Sequence, residues 1–123
     1  MSQDPGERRS APRYTVIMDA QVMDLLSHST VKLRCSDISL TGCYLDTLNP
    51  MDPGTPITVR LEHSMHVFEA QAKVAYMVPC LGMGVAFAQP IPADQLLVLS
   101  EWIGQAAAAA NPQPSLFGAS ASR

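Results

Sequence analysis

From Phe68 to Val78 apolar side chains recur at every second position: Phe68, Ala70, Ala72, Val74, Tyr76 and Val78. A helix gathers residues three and four apart onto one face, so a period of two held across eleven residues fits a strand with one side buried. Shorter runs repeat the pattern. Tyr14, Val16, Met18, Ala20 and Val22 face one way, with Ile17 as an exception. Val31, Leu33 and Cys35 form a second run and Cys43-Tyr44-Leu45 a third. Ile57, Val59 and Leu61 precede the long run, and Leu81, Met83, Val85 and Phe87 follow it.

Turn formers separate these runs. Leu25 to Thr30 reads as a loop, Asn49-Pro50-Met51-Asp52-Pro53-Gly54 is a dense breaker cluster, Glu62 to Met65 turns the chain, and Pro90 and Pro92 end the last run. Six short strands without crossover helices predict a mostly β chain, an antiparallel sheet closed into a small six-stranded barrel. One C-terminal helix follows. Leu96, Leu99 and Ile103 recur at helical spacing, Leu97 and Trp102 widen the apolar face, and Asp94 suits the positive end of the helix dipole. Ala106 to Ala110 extend the helix before Asn111-Pro112-Gln113-Pro114 stops it.

Composition narrows the class of chain. At 123 residues, 47% apolar and 15% charged, it can bury one modest core and differs from a disordered chain. No apolar stretch approaches the roughly 20 residues of a membrane-spanning helix, and Met1 to Gly6 lack the hydrophobic centre of a signal peptide. A cytoplasmic protein without membrane insertion is expected. Cys35, Cys43 and Cys80 are odd in number, lack C-x-x-C spacing and read as buried thiols. With His28, His63 and His66 added, only His63-x-x-His66 has ligand-like spacing, and it falls in a hairpin loop, so no metal is expected. The chain contains no G-x-S-x-G, Walker A or H-E-x-x-H, and Ser39 has no nearby His to act as a base. Neither enzymatic activity nor a cofactor is expected.

Two polar clusters stand out from this background. Asp37-Ile38-Ser39-Leu40-Thr41-Gly42, a D-x-S-x-x-G stretch, reads as a turn joining the second and third strands. Both Asp37 and Ser39 can point out of such a turn, the first accepting hydrogen bonds only, the second also donating; Gly42 permits a positive φ. Alone, the stretch also fits a turn whose polar side chains bond its own backbone. Near the N-terminus, Arg9 and Arg13 form an R-x-x-x-R pair with Arg8 beside it. Three of the chain's eight Lys and Arg residues thus sit within six positions, in a chain of net charge −3. Positive charge concentrated in one short segment suits a small anion better than a nucleic acid polymer.

Together the two clusters resemble the signature of the PilZ domain family, bacterial receptors for cyclic di-GMP, in which R-x-x-x-R precedes D/N-x-S-x-x-G by some tens of residues. Leu81 to Phe87 is similar to the family's last barrel strand and Asp94 to Gln105 to the helix after it, so the resemblance spans about residues 7–105. The expected organisation is a flexible arm carrying the Arg motif at 1–13, a PilZ-type barrel with its C-terminal helix at 14–105, and an Ala-rich helix extension with a disordered tail at 106–123.

The resemblance implies a ligand site built from Arg8, Arg9, Arg13, Asp37, Ser39 and Gly42, and a ligand, cyclic di-GMP, that carries two phosphates and two guanines. Guanidinium forks can bond a phosphate oxygen pair or guanine O6 and N7, and can stack on the base. A carboxylate suits guanine N1–H and N2–H. On this reading the arm orders on binding and the signal passes by contact to an unknown downstream protein. The alternative is an adaptor of the same fold that works through protein contacts with weak or no nucleotide binding. In the tail, Gln113-Pro114-Ser115-Leu116-Phe117 resembles the Q-x-x-L-F peptide by which many bacterial proteins dock on the replication sliding clamp, a second kind of partner.

Overall fold

The computed structural model describes residues 11–110. The Arg8 and Arg9 part of the arm and the Gln113–Phe117 peptide lie outside them. Six strands, β1 (Tyr14–Asp24), β2 (Thr30–Ile38), β3 (Gly42–Asp46), β4 (Pro56–His63), β5 (His66–Val78) and β6 (Gly82–Phe87), are followed by one helix, α1 (Ala93–Ala110). All neighbours are antiparallel, and the order β1-β2-β3-β6-β5-β4 closes because β4 pairs back onto β1. Closure gives every described strand a partner on each side, so none of them lies wholly at an edge.

Alternation builds the interior. Met18, Ala20 and Val22 of β1, Ile57, Val59 and Leu61 of β4, and Phe68, Ala70, Ala72 and Val74 of β5 all point inward and are buried. Phe68 and Phe87 meet across the core with ring centroids 5.0 Å apart. Ile17 is 54% exposed, as its parity demands. Cys35 and Cys43 are buried, whereas Cys80 is exposed in the β5–β6 turn, where its φ of 63° is that of a turn residue rather than of a strand. Leu81 likewise belongs to that turn and is exposed; β6 begins one residue later. Val31 sits at the open start of β2 and is also exposed, beyond the reach of the core.

Helix α1 packs on β5 and β1. Leu99 and Trp102 are its buried contacts, with Val98 and Ile103 packed beside them, while Leu96 and Leu97 face outward. The expected apolar stripe is therefore rotated by about one residue. Val98 takes the place expected of Leu96 and Leu97 because the helix N-terminus is fixed by Gln95, whose Oε1 accepts the Glu69 N–H at 2.7 Å. The Trp102 ring meets His63 edge-on at 5.8 Å, which ties the helix to the β4–β5 hairpin.

That hairpin turns in two residues, tighter than the four expected from sequence. His63 and His66 pair across it, and Ser64 and Met65 both adopt left-handed backbone, with φ of 52° and 66°. Two consecutive positive φ values describe a type I′ turn, for which Asn-Gly is the favoured pair and a side chain such as Met is strained. Met65 is fully exposed and packs on nothing that would offset this. Replacing Ser64→Asn together with Met65→Gly is expected to stabilise the protein by about 1 kcal/mol, read as a higher urea midpoint with an unchanged slope.

Candidate functional site

Paired positions on neighbouring strands line up in one row across the barrel: Thr15 on β1, Asp37 on β2, Tyr44 on β3, Gly84 on β6 and Tyr76 on β5. Two β-bulges bring this row to the outer face. Between Cys35 and Asp37, β2 advances two residues while β3 advances one, which leaves Ser36 as the extra residue. Cys35 and Ile38 are consequently both fully buried although three positions apart, and Asp37, which shares the inward parity of Cys35, is turned out. Between Val74 and Tyr76 the same happens on β5, with Ala75 as the extra residue. The alternation of its strand predicts a core position for Tyr76; it lies instead on the surface, 40% exposed.

The bulge at Ser36 is held from two sides. The Ser36 hydroxyl donates to Asp46 Oδ1 at 3.2 Å, and the Cys35 thiol donates to the Asp37 carbonyl at 3.3 Å. Arg34 Nε reaches Asp46 Oδ2 at 2.9 Å and Arg60 pairs with Glu62 at 3.1 Å, so both cations are balanced by carboxylates within hydrogen-bond distance. Lys32 and Arg60 stand on either side of Gln21, away from the row, beside a cavity of about 270 Å³. None of the expected site residues that are described, Arg13, Asp37, Ser39 and Gly42, lines that cavity.

Arg13, the residue before β1, reaches across the row. Its Nη1 lies 3.8 Å from Asp37 Oδ2 and donates to the Tyr76 hydroxyl at 3.3 Å. Tyr76 in turn stands on Gly84, where a Cβ would run into its ring, and its ring centroid is 6.3 Å from that of Tyr44. The two ends of the ion pair do not share its benefit. Burial lowers the Arg13 pKa, but the Tyr76 hydroxyl and Asp37 together more than restore it, and the net direction is upward. Burial raises the pKa of Asp37, and Arg13 only partly offsets this. The asymmetry has a geometric cause: the pair is long for an ion pair, and Asp37 Oδ1 is buried with no hydrogen-bond partner among the described residues. The carboxylate is therefore an acceptor with unspent capacity.

Ser39 is placed differently from Asp37. It is 3% exposed and its hydroxyl is occupied inside the turn, where it accepts the Thr41 and Gly42 N–H groups at 3.1 Å each and lies 3.3 Å from the Gly42 carbonyl oxygen. A backbone bond from Ser39 N–H to the Gly42 carbonyl at 2.8 Å closes the turn. Gly42 has no positive φ, contrary to the expectation for this turn. Glycine is required there because β6 runs close by: a Cβ at Gly42 would collide with the Val85 carbonyl oxygen. Among the described residues no group of three or more His, Cys, Asp or Glu side chains could hold a metal ion, and no helix is long and apolar enough to cross a membrane.

Of the six expected site residues, the structure brings together Arg13 and Asp37, places Ser39 and Gly42 beneath them as the turn that ends at β3, and does not describe Arg8 and Arg9. Tyr76 and its glycine floor joined the row unforeseen. By the alternation of its strand, without the bulge, Tyr76 reads as core.

Comparison with solved structures finds the same fold at low identity. The PilZ domain of YcgR from Escherichia coli with c-di-GMP matches with a TM-score of 0.68 and 18% identity, covering 84% of this chain and 94% of that one. YcgR from Escherichia coli in complex with c-di-GMP gives 0.70 and 18%, covering 84% of this chain and 47% of that one. The Bacillus subtilis inhibitor of motility, MotI/DgrA, gives 0.66 and 16%, covering 86% and 53%. This chain thus spans about half the length of the last two. No curated protein matches it by sequence. The family profile of the PilZ domain matches residues 7–105, most of the chain and the whole of the six-stranded barrel, and with that the chain belongs to the PilZ domain family.

Proposed function

We propose that this chain is a receptor for cyclic di-GMP, that its arm from Arg8 to Arg13 orders on the ligand, and that the signal passes onward by contact with a downstream protein. One observation carries the reading: Arg13, which closes the R-x-x-x-R pair, lies 3.8 Å from Asp37, which opens D-x-S-x-x-G. Two motifs distant in the chain meet at one place on the barrel, as a shared ligand would require. The related PilZ domain of Escherichia coli YcgR has been solved with c-di-GMP, which supports the choice of guest.

The chemistry follows from the donors and acceptors. Asp37 accepts guanine N1–H and N2–H, through the part of its carboxylate that remains exposed. Arg8, Arg9 and Arg13 supply planar forks for the phosphates and for guanine O6 and N7. Ser39 holds the turn that presents Asp37, and Gly42 keeps that turn against β6. Ordering the arm costs about 1–2 kcal/mol per residue, close to the roughly 1.5–3 kcal/mol that each charge-assisted hydrogen bond contributes. Binding is therefore expected in the micromolar range, equivalent to about 8 kcal/mol. Calorimetric titration with cyclic di-GMP tests this. Wild type is expected to bind, and Arg9→Ala and Arg13→Ala to bind at least about tenfold more weakly, the loss of one or more charged contacts each. A wild type that takes up no nucleotide ends the reading, and variants that match wild type end the site assignment.

A further inference from the structure

Tyr76 owes its place to three features of the barrel. The extra residue Ala75 turns it outward, Gly84 leaves room under its ring, and Tyr44 flanks that ring. Its hydroxyl has one hydrogen-bond partner among the described residues, Arg13 Nη1 at 3.3 Å. Arg13 is thereby gripped between β2 and β5 by a single nitrogen, while Nη2 and Nε carry no hydrogen bond to any described residue. The planar fork is restrained at that one nitrogen, and its other donors have no partner among the described residues.

We infer that Tyr76 is a positioning residue, which holds the Arg13 guanidinium in place on the barrel before any ligand arrives and so raises affinity through Arg13 rather than by touching the ligand. The inference rests on the cyclic di-GMP reading for its effect on affinity, though not for its effect on Arg13. A side chain with several rotatable bonds that is already immobilised loses less freedom on binding, and affinity rises by that saving. Within the arm from Arg8 to Arg13, the last residue then needs the least ordering.

The test uses full-length wild type, Tyr76→Phe, Arg13→Ala and the double variant. Tyr76→Phe keeps the ring on Gly84 and loses the hydroxyl alone, so its melting temperature is expected to match wild type. In calorimetry with cyclic di-GMP it is expected to bind about three- to tenfold more weakly, the range for immobilising one long side chain. In the Arg13→Ala background the same change is expected to cost nothing further, because the group it positions is gone. An equal loss with and without Arg13 shows Tyr76 acting on the ligand itself and overturns the inference, as does wild-type affinity in Tyr76→Phe. A ligand-free measurement separates this from the fate of the functional reading. Nitrogen-15 relaxation of the Arg13 Nε–H group is expected to show a restrained side chain in wild type and a mobile one in Tyr76→Phe. Equal mobility in both overturns the positioning role even if cyclic di-GMP binds, and a clear difference sustains it even if wild type binds no nucleotide.

Discussion

Gly42→Ala is expected to destabilise the protein by about 2–3 kcal/mol, the cost of forcing extra volume into a packed site, and to lower its melting temperature by roughly 10–20 °C for a domain of this size. The atoms in the way are backbone, the Val85 carbonyl oxygen and carbon and the Ala86 Cα, and not the end of a flexible side chain. Relief requires β3 and β6 to separate where Gly42 pairs with Ala86. Separation would also pull on the turn, since the Gly42 N–H and carbonyl both engage Ser39. Gly104 supplies the control. It lies inside α1, a Cβ there meets nothing, and Gly104→Ala is expected to stabilise by about 0.5–1 kcal/mol through helix propensity alone. Thermal unfolding of the two variants should therefore move in opposite directions. Equal small shifts would mean that β3 and β6 have slack at Gly42, and that glycine stands there for some other reason.

Asp37→Asn is expected to separate binding from stability, weakening cyclic di-GMP by about 10–100-fold, as the loss of one or two charge-assisted bonds requires, while making the ligand-free protein more stable. The second half follows from the carboxylate's surroundings. Its folded pKa is raised above 3.8, chiefly by burial, so the native state holds the proton more tightly than the unfolded chain does. For an acid shifted in this direction, stability is greatest below the unfolded pKa and falls as pH rises through the window up to the folded value. At neutral pH the ionised carboxylate is a net cost. The amide of the variant carries no such charge, and a gain of about 1 kcal/mol is expected, the low end of the range for an unpartnered buried polar group, because the side chain remains 27% exposed. The gain should shrink as pH falls through the window, where the wild-type carboxyl takes up its proton. Denaturation midpoints measured between pH 3 and pH 7 would show it. A variant less stable than wild type at neutral pH would mean that the Arg13 pair outweighs the burial of Asp37.

The strands were legible because their inward faces meet a single core. Met18, Ala20 and Val22, or Ile57, Val59 and Leu61, are buried by the parity that their spacing shows. The meeting of Arg13 with Asp37 was legible only through the resemblance to the PilZ signature, in which the two motifs occur together; neither motif alone points to the other. What the sequence concealed was each place where the parity slips. Ser36 and Ala75 are ordinary strand residues, and nothing local marks either as the one that loses its partner across the ladder. Tyr76 therefore read as core and the contact it makes with Arg13 went unseen. Gly42 misled in a different way. Glycine in a turn suggests unusual backbone, whereas here the constraint comes from β6, far along the chain. The helix stripe shifted for a similar reason, because Gln95, which also bonds Asp94 beside it, is anchored by the backbone of β5.

The two bulges have a corollary for strand length. In a regular strand one added residue turns every later side chain to the opposite face, whereas at Ser36 and Ala75 the addition is absorbed locally: Cys35 and Ile38 both stay buried, and Asp37 and Tyr76 still face outward in one row. These strands can therefore carry an odd residue without turning their core face to solvent, so the interior does not dictate the count of residues along the wall.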